Sequence, residues 1–252
     1  MNVIMDAYYM ASSLKRLRPF LYFLKEINNF RLKKERLRFY SRFLKKNELC
    51  FDIGANIGNR TDIFLGLGCR VIALEPQDTC FRYIKKKISK NKNAIILKKA
   101  AAAKTGTKKL YVSDLDPLSS MSLRWIKEVK KSGRYSNVSW KNYSLAQTIT
   151  LDGLINQYGI PKFCKIDVEG YEYEVLKGLS VKIPYVSFEF TSECFFQTEK
   201  CISHLSNLGN CKFNYSLYEK CGFELKKWTD AKSILKIIKS QKNKWGDIYA
   251  KY

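Results

Sequence analysis

The pattern of apolar and polar positions changes near residue 49. Before it, apolar residues recur at intervals of three and four, which is the spacing of one helix face. These residues are Leu14, Leu17, Leu21, Leu24 and Ile27. After it, short apolar runs alternate with amphipathic stretches, which is typical of strands alternating with helices. We therefore predict a basic helical segment, residues 1–48, followed by one α/β domain, residues 49–252.

Short apolar runs place the predicted strands of this domain. The buried strands are Leu49–Ile53, Arg70–Leu74, Ala94–Lys98, Cys164–Val168 and Tyr185–Phe190, with Lys109–Val112 as an edge strand and Gly222–Leu225 and Asp247–Ala250 closing the sheet. The helices are Thr61–Leu67, Asp78–Ser89, with Asp78 as its N-cap, and Glu172–Gly178. The polar, aromatic stretch Ser113–Tyr143 has no clear period. We expect an irregular insert there, of the kind that forms lids or binding loops.

The charge of the chain bears on its partners rather than on its fold. The sequence has 46 Lys and Arg against 23 Asp and Glu, a net charge of +23 over 252 residues. A lysine-rich surface accounts for this charge; an anionic acceptor, an anionic membrane surface or nucleic acid are the functional alternatives. The basic residues of the N-terminal segment fit either a helical cap packed on the domain or an amphipathic helix on a membrane. No charge-free run approaches the roughly 20 residues of a transmembrane helix, and no signal peptide is recognisable.

The cysteines indicate a reducing compartment. There are eight, with no C-x-x-C pair, which argues against a zinc ribbon or a thioredoxin-like site. We expect free thiols and a cytoplasmic protein, with peripheral membrane contact as an alternative. Cys201, Cys211 and Cys221, together with His204, are spaced too widely for a zinc site, so no metal is predicted.

The strongest local signal is the run FDIGANIGN, residues 51–59, between a predicted strand and a predicted helix. The small residues Gly54, Ala55 and Gly58 let a ligand approach the backbone closely. Glu75 ends the next strand, 21 positions after Gly54. An acid at that offset hydrogen-bonds the ribose of an adenosine cofactor.

This unit could bind either NAD or S-adenosylmethionine, and the loop spacing and the acids at the strand ends favour the second. The loop does not have the G-x-G-x-x-G spacing that holds the pyrophosphate of NAD. Predicted strands end at or near acids, namely Asp52, Glu75, Asp167 and Glu189. Because ligands lie beyond the carboxyl ends of such strands, the pocket should be negative. A negative pocket fits the sulfonium of S-adenosylmethionine, unless the acids cap helices or pair with lysines instead.

Several runs together resemble one family. The run CKIDVEGYEYEVLKGL, residues 164–179, resembles the signature of the FkbM-type methyltransferases, and FDIGANIG resembles that family's first motif. The Thr150-Leu151-Asp152 stretch, VSFEF and WGDIYA are similar too, so the resemblance covers Leu49 to the C-terminus. It implies a class I, Rossmann-like, seven-stranded and mostly parallel sheet with a reversed last strand and helices on both faces. It also implies S-adenosylmethionine-dependent O-methylation of a hydroxyl, often on sugars or other small secondary products.

The resemblance also assigns cofactor contacts. The loop would surround the methionine part, Glu75 the ribose, and Asp167 would stand near the reacting methyl group. The candidate cofactor-binding residues are Asp52, Gly54, Ala55, Asn56, Gly58, Asn59, Glu75, Pro76, Ala100 and Asp167. One departure from class I sequences is that no Asp or Asn follows the third strand. Backbone near Ala100 is therefore the candidate contact for adenine.

The acceptor side needs a base, because a hydroxyl is a poor nucleophile until its proton is taken. The candidates are Asp167, Glu169, Glu189 and His204, the only histidine. Asp167 is favoured as the main polar group, with Glu169 next, although one of them could instead hold the KIDVEG turn through backbone N–H groups. The predicted acceptor contacts are Glu189, Ser120, Arg124 and Trp125, with Trp125 stacking on a sugar and Arg124 taking an anionic group.

The sequence therefore predicts an O-methyltransferase acting on a glycan or another small molecule. An RNA ribose 2'-O-methyltransferase is the alternative enzyme, since high positive charge with 14% aromatic residues is found in nucleic-acid-binding proteins. A non-catalytic cofactor-binding scaffold or membrane adaptor is the alternative of another class. Acids at four strand ends favour an active enzyme over a decayed one.

Overall fold

The computed structural model describes residues 32–218 and 220–252. The predicted leucine stripe, from Leu14 to Ile27, lies outside these residues. Helix α1 occupies residues 32–40 and is followed by turns, so the helical part of the predicted segment 1–48 ends before residue 48. None of the helices in the described part of the chain is long and apolar enough to cross a membrane.

Strands of the described chain form two sheets. They are β1 Leu49–Ile53, β2 Arg70–Leu74, β3 Ala94–Leu97, β4 Ala100–Ala101, β5 Gly106–Val112, β6 Asn142–Ile149, β7 Phe163–Ile166, β8 Tyr185–Thr191, β9 Lys212–Leu217 and β10 Trp245–Lys251. The larger sheet has seven strands in the order β3-β2-β1-β7-β8-β10-β9. Its first five strands are parallel, and β10 runs antiparallel to both β8 and β9. The predicted seven-stranded fold with a reversed last strand is confirmed.

Helices cover both faces of this sheet because its strands are apolar on both sides. They are α2 Asn59–Gly66, α3 Asp78–Ile88, α4 Leu123–Lys131, α5 Leu151–Tyr158, α6 Glu172–Leu176, α7 Phe195–Leu208 and α8 Ala231–Lys239. Helices α1, α2 and α3 pack on one face, and α5 to α8 pack on the other. The predicted helix boundaries are close, but Gln77, not Asp78, is the N-cap of α3. Asp78 instead pairs with Arg82 and Lys98.

Helix α1 belongs to the core of the α/β fold. Its Phe39 and Tyr40, with Phe43 and Leu44 just after it, are buried in one cluster with Phe163 of β7. The rings of Phe43 and Phe163 stack with centroids 5.1 Å apart. The described part of the predicted N-terminal segment therefore shares a core with the domain that follows it.

The smaller sheet, in the order β4-β6-β5, lies in residues 98–149, which we call the accessory unit. The predicted edge strand Lys109–Val112 is the end of β5 and belongs to this second sheet. The insert expected to be irregular contains α4 and the start of β6. It folds because Ser122 caps α4 by accepting a hydrogen bond from the Trp125 N–H, and because Trp125 centres its own buried apolar cluster.

The prediction of one of the two strands that close the sheet is wrong. Gly222–Leu225 is not a strand; the strand is β9, whose Phe213, Tyr215 and Leu217 alternate into the core. The 222–225 segment lies beside β9, where the Asn214 side chain bonds both the N–H and the carbonyl of Leu225. The second closing strand, predicted at Asp247–Ala250, is confirmed within β10.

Candidate functional site

The glycine loop after β1 is fixed between the ends of two neighbouring strands. The N–H groups of Gly54 and Ala55 donate to the Leu74 carbonyl of β2, at 3.0 and 2.9 Å. Gly54 has φ of +82°, and a Cβ built there would overlap the backbone oxygen of Asp167. Only glycine fits at this point. The loop therefore lies directly against the end of β7.

Glu75, at the end of β2, closes the other side of the loop. It is buried, and its two carboxylate oxygens accept the N–H groups of Asn56 and Gln77, each at 2.7 Å. A carboxylate oxygen has two lone pairs, so these bonds leave acceptor capacity for a ribose hydroxyl. Pro76 follows half-buried, while Asn59 opens α2 directly after Gly58. The residues predicted around the methionine and ribose parts are thus brought together.

Asp52 lies beneath the loop rather than in the cleft. Its side chain is buried, and its Oδ2 accepts the Thr61 hydroxyl of α2 at 2.5 Å. Burial raises the pKa of Asp52 to about 6. It therefore ties α2 to β1 below the loop and is not placed for direct contact with a ligand above it.

Three carboxylates meet at the carboxyl ends of β7 and β8. Oxygens of Asp167, Glu169 and Glu189 lie within 4.8 Å of one another, and all three residues are half-buried. Burial raises the pKa of Glu169 well above its ordinary value, and the charge of Asp167 adds to the effect. Burial likewise raises the pKa of Glu189, with Glu169 contributing. Glu169 and Glu189 therefore bind a proton more readily than ordinary carboxylates. Three carboxylates alone do not define a metal site.

A buried lysine joins this cluster to the reversed strand. The Nζ of Lys165 lies 2.6 Å from Asp247 Oδ1 and 3.3 Å from Asp167 Oδ2. Burial lowers the pKa of Lys165, but Asp167 and Asp247 outweigh burial and raise it above its ordinary value. The KIDVEG and WGDIYA motifs therefore meet through one ion pair. Sequence analysis missed Lys165, and its only signal is a lysine inside an otherwise apolar strand.

The KIDVEG turn is held by Glu172, which was not predicted. Its Oε1 accepts the N–H groups of Val168 and Gly170, both at 3.2 Å, and burial raises its pKa to about 7. The role considered for Asp167 or Glu169 therefore belongs to Glu172. Glu169, with φ of +51°, is left with its carboxylate toward the cluster.

Two predicted acceptor contacts support this turn from the accessory unit. The Ser120 hydroxyl donates to the Glu169 carbonyl at 2.6 Å. Trp125 is only 1% exposed, and its ring packs directly on Gly170, where any side chain would overlap it. Trp125 is therefore a buried support, and its predicted stacking on a sugar is wrong in this structure. Arg124 is exposed, with its guanidinium 3.4 Å from the ring centroid of Phe196.

His204 lies away from the carboxylates. Its Nε2 is 3.0 Å from the Leu179 carbonyl oxygen. The next residue, Leu205, accepts the Tyr252 hydroxyl, and the N–H of Tyr252 bonds Pro184 just before β8. These contacts place His204 toward the amino ends of the parallel strands. The candidate base His204 is therefore corrected, because the ligand edge is the opposite one.

The adenine and cysteine predictions concern the remaining positions. Ala100 is buried at the start of β4, where it pairs with Thr148 of β6.

All eight cysteines are free thiols. Cys201 and Cys211 lie in the core under α7, whereas Cys221 packs with α1 on the opposite face, so these three do not converge.

A cation missed by sequence analysis faces the carboxylates. Arg134, in the stretch after α4, has its guanidinium 5.1 Å from the Tyr135 ring and 5.5 Å from the Trp245 ring. Its Nη1 is 3.6 Å from Glu193 Oε1. No periodicity identifies this arginine among the many basic residues of the chain.

Comparison with known proteins identifies the family. Residues 52–245 match the family described as Methyltransferase FkbM domain. No curated protein is found as a relative. Among solved structures, a precorrin-6y C5,15-methyltransferase from Geobacter metallireducens is 12% identical, with a TM-score of 0.47 over 88% of this chain and 89% of that one. A TehB-like SAM-dependent methyltransferase from Corynebacterium glutamicum is 8% identical, with a TM-score of 0.43 over 86% and 88%.

The structural likenesses are distant, so the assignment depends on the sequence match. That match begins at Asp52 near the end of β1 and includes the glycine loop, Glu75, the accessory unit and the KIDVEG turn. It ends at the first residue of β10. The predicted family and cofactor are both confirmed. The chain belongs to the FkbM methyltransferase family, and its methyl donor is S-adenosylmethionine.

Proposed function

We propose that the chain methylates a hydroxyl oxygen on a sugar, a glycan or another small secondary product. One observation carries the proposal: the glycine loop lies against the backbone of Asp167 at Gly54. Asp167 belongs to the group of three carboxylates at the edge of the sheet. A donor held by the loop and a hydroxyl held by the carboxylates would therefore be neighbours.

The proposed cofactor contacts follow from the loop. Gly54, Ala55 and Asn56, with Gly58 and Asn59, would hold the methionine part, and Glu75 with Pro76 the ribose. Backbone near Ala100 would meet the adenine, and Asp52 would act from below by holding α2 and adding negative potential. When bound, S-adenosylmethionine supplies a methyl group on a sulfonium, which leaves as a neutral thioether. The acidic surroundings fit that cation.

The chain's own task is to align the acceptor and remove its proton. Asp167 is proposed to hold the acceptor hydroxyl, because its side chain is 38% exposed and Lys165 contacts one of its oxygens. Glu169 is proposed to take the proton, with Glu189 beside it. Burial and the neighbouring charge of Asp167 raise the pKa of Glu169, which makes its carboxylate a stronger base than an ordinary one.

A cytoplasmic location is proposed with this activity, since the eight free thiols suit a reducing compartment. Peripheral contact with an anionic membrane is the alternative that the net charge of +23 leaves open. An RNA acceptor is the alternative substrate that the same charge supports.

A transfer assay tests the proposal. Tritiated S-adenosylmethionine would be incubated with the protein and with separate glycan, small-molecule, lipid and RNA fractions of the source cells. We expect alkali-stable label in the glycan or small-molecule fraction. Label in RNA alone would contradict the proposal. Calorimetry serves as the control for cofactor identity: S-adenosylmethionine should bind, and NAD should not.

A further inference from the structure

Arg134 stands at the entrance to the proposed acceptor site. Glu193 lies two residues after the end of β8, and Trp245 is the first residue of the reversed strand β10. Both therefore lie at the same edge of the sheet as Glu189. The cross-strand neighbours Glu189 and Asp247 show how close these two strand ends are. Arg134 contacts both Glu193 and Trp245 from the accessory unit. It therefore bridges the unit to the edge where the carboxylates converge.

The guanidinium of Arg134 has hydrogen-bonding capacity that the described residues do not fill. Its side chain is 24% exposed, and its charged contact, with Glu193, is 3.6 Å long, which is beyond hydrogen-bond distance. Within residues 32–218 and 220–252, no group accepts a hydrogen bond from this guanidinium. A guanidinium has five N–H donors. Those of Arg134 are therefore available to a ligand that reaches this edge of the sheet.

The surroundings hold this cation in place and keep it charged. The rings of Tyr135 and Trp245 lie within cation–π distance of the guanidinium. Burial lowers the pKa of Arg134, but Tyr135 and the carboxylates of Glu189 and Glu193 outweigh burial and raise it. Two aromatic contacts and a long ion pair restrict the side chain without using its donors. The cation is thus positioned before any ligand arrives.

The charge of the accessory unit supports an anionic ligand. Residues 98–149 contain eleven Lys and Arg against three Asp and Glu, a net charge of +8. The unit is joined to the cofactor side as well, because the Ser119 hydroxyl donates to Gln77, two residues after Glu75. An acidic molecule would therefore be attracted to the unit that borders the site.

We propose, building on the proposed function, that Arg134 binds an anionic group of the acceptor, and that the acceptor is an acidic saccharide. A carboxylate or a phosphate would form two parallel hydrogen bonds with the guanidinium and replace the long contact to Glu193. Arg134 thus takes the role that sequence analysis gave to Arg124. Anchoring the acceptor there positions one of its hydroxyls toward Asp167.

The test compares three variants in the transfer assay. Glycans would be separated by anion exchange into neutral and acidic fractions, and the acidic fraction would also be treated with phosphatase or by carboxyl reduction. We expect the tritium label in the acidic fraction. The label should be lost after phosphatase treatment if the recognised anion is a phosphate, or after carboxyl reduction if it is a carboxylate. Arg134→Gln should lower this label at least tenfold. Arg134→Lys should lower it less, because lysine keeps the positive charge but lacks the paired N–H donors of the guanidinium. Lys131→Gln, which removes an exposed charge from the same unit, is the matched control and should match the wild type.

S-adenosylhomocysteine binding, measured by calorimetry, separates recognition from misfolding. Arg134→Gln should keep its affinity for this product within twofold. Equal labelling of the neutral and acidic fractions, or a parallel loss of product binding and transfer, would overturn the Arg134 site. If no glycan fraction is labelled, the proposed function fails instead. Arg134 is then tested directly by saturation-transfer NMR with glucuronate and glucose 6-phosphate against glucose: binding of neither anion, or binding unchanged in Arg134→Gln, overturns the site.

Discussion

Asp167 is the residue at which the cofactor loop, the carboxylate cluster and the buried lysine meet. Replacing it with Asn keeps the shape and one acceptor oxygen but removes the charge. We predict that Asp167→Asn keeps the fold and most of the affinity for S-adenosylmethionine and lowers turnover by at least 100-fold, about 2.7 kcal/mol. Single-turnover transfer and calorimetry would measure the two effects separately. Near-normal turnover would move the role to Glu169 or Glu189.

Lys165 is a second residue whose contacts predict a measurable effect. Removing one member of a buried ion pair leaves the other charge unpaired, which typically costs about 3–5 kcal/mol. Lys165→Met should destabilise the protein by about that amount, because Asp247 is also buried. Chemical denaturation would measure it. The double variant Lys165→Met/Asp247→Leu should recover part of the loss; a double variant as unstable as the single one would contradict this account.

Glu172 predicts a pH dependence. Its pKa is raised to about 7 in the folded chain, against about 4.3 in an unfolded one. Its contribution to stability is therefore complete below about pH 4 and lost as the pH rises through about 7. Glu172→Gln keeps the accepting oxygen for Val168 and Gly170 but cannot ionise.

The expected result is equal stability near pH 4 and a variant that is more stable at pH 8, by about 3–4 kcal/mol at most. Denaturant unfolding at several pH values would measure the difference between the two proteins. A constant difference across this range would show that Glu172 is not protonated in the folded wild type near pH 5.

At the scale of elements, the glycine loop works only as a tight turn between β1, β2 and β7. Gly54→Ala would place a methyl group on the Asp167 backbone in an unfavourable conformation. We predict a loss of S-adenosylmethionine affinity of more than tenfold, measured by calorimetry. Gly222→Ala, where nothing lies within 4 Å of the added group, is the control.

Glu75→Ala should weaken S-adenosylmethionine binding by about 1–3 kcal/mol, the usual loss for a hydrogen bond to a charged group.

At the scale of the molecule, α1 is part of the core, so a truncation that removes it should destabilise the fold. Phe39, Tyr40 and Phe43 are buried, and each fully buried side chain of this size contributes roughly 1.5–3 kcal/mol. A chain beginning at Leu49 should therefore aggregate or unfold at lower denaturant concentration, whereas one beginning at residue 32 should retain its cofactor affinity.

Sedimentation with anionic and neutral vesicles tests whether residues 1–31 attach the protein to a membrane surface. Salt-sensitive binding to anionic vesicles only, lost in the shorter chain, would indicate surface attachment.

The sequence predicted the parts of the molecule that are encoded locally. The FDIGANIGN loop and the KIDVEG run each contain their strand, turn and helix within a few residues, so their positions were correct. Lys165 and Asp247 are 82 residues apart, and no spacing rule joins them. Their contact depends on β10 inserting beside β8. His204 was a candidate because it is the only histidine, and the sequence does not show which end of its helix borders the ligand.

The reversed direction of β10 also decides how this protein can be attached to a surface. The strand begins with Trp245 at the edge that carries the proposed site, and it ends at Lys251, paired with Tyr185 at the amino end of β8. Residue 252 therefore lies on the side of the sheet away from the carboxylates. Immobilising the protein on a sensor chip through a tag after residue 252 should leave the ligand edge facing the solution, whereas coupling through the lysines of the accessory unit should block it.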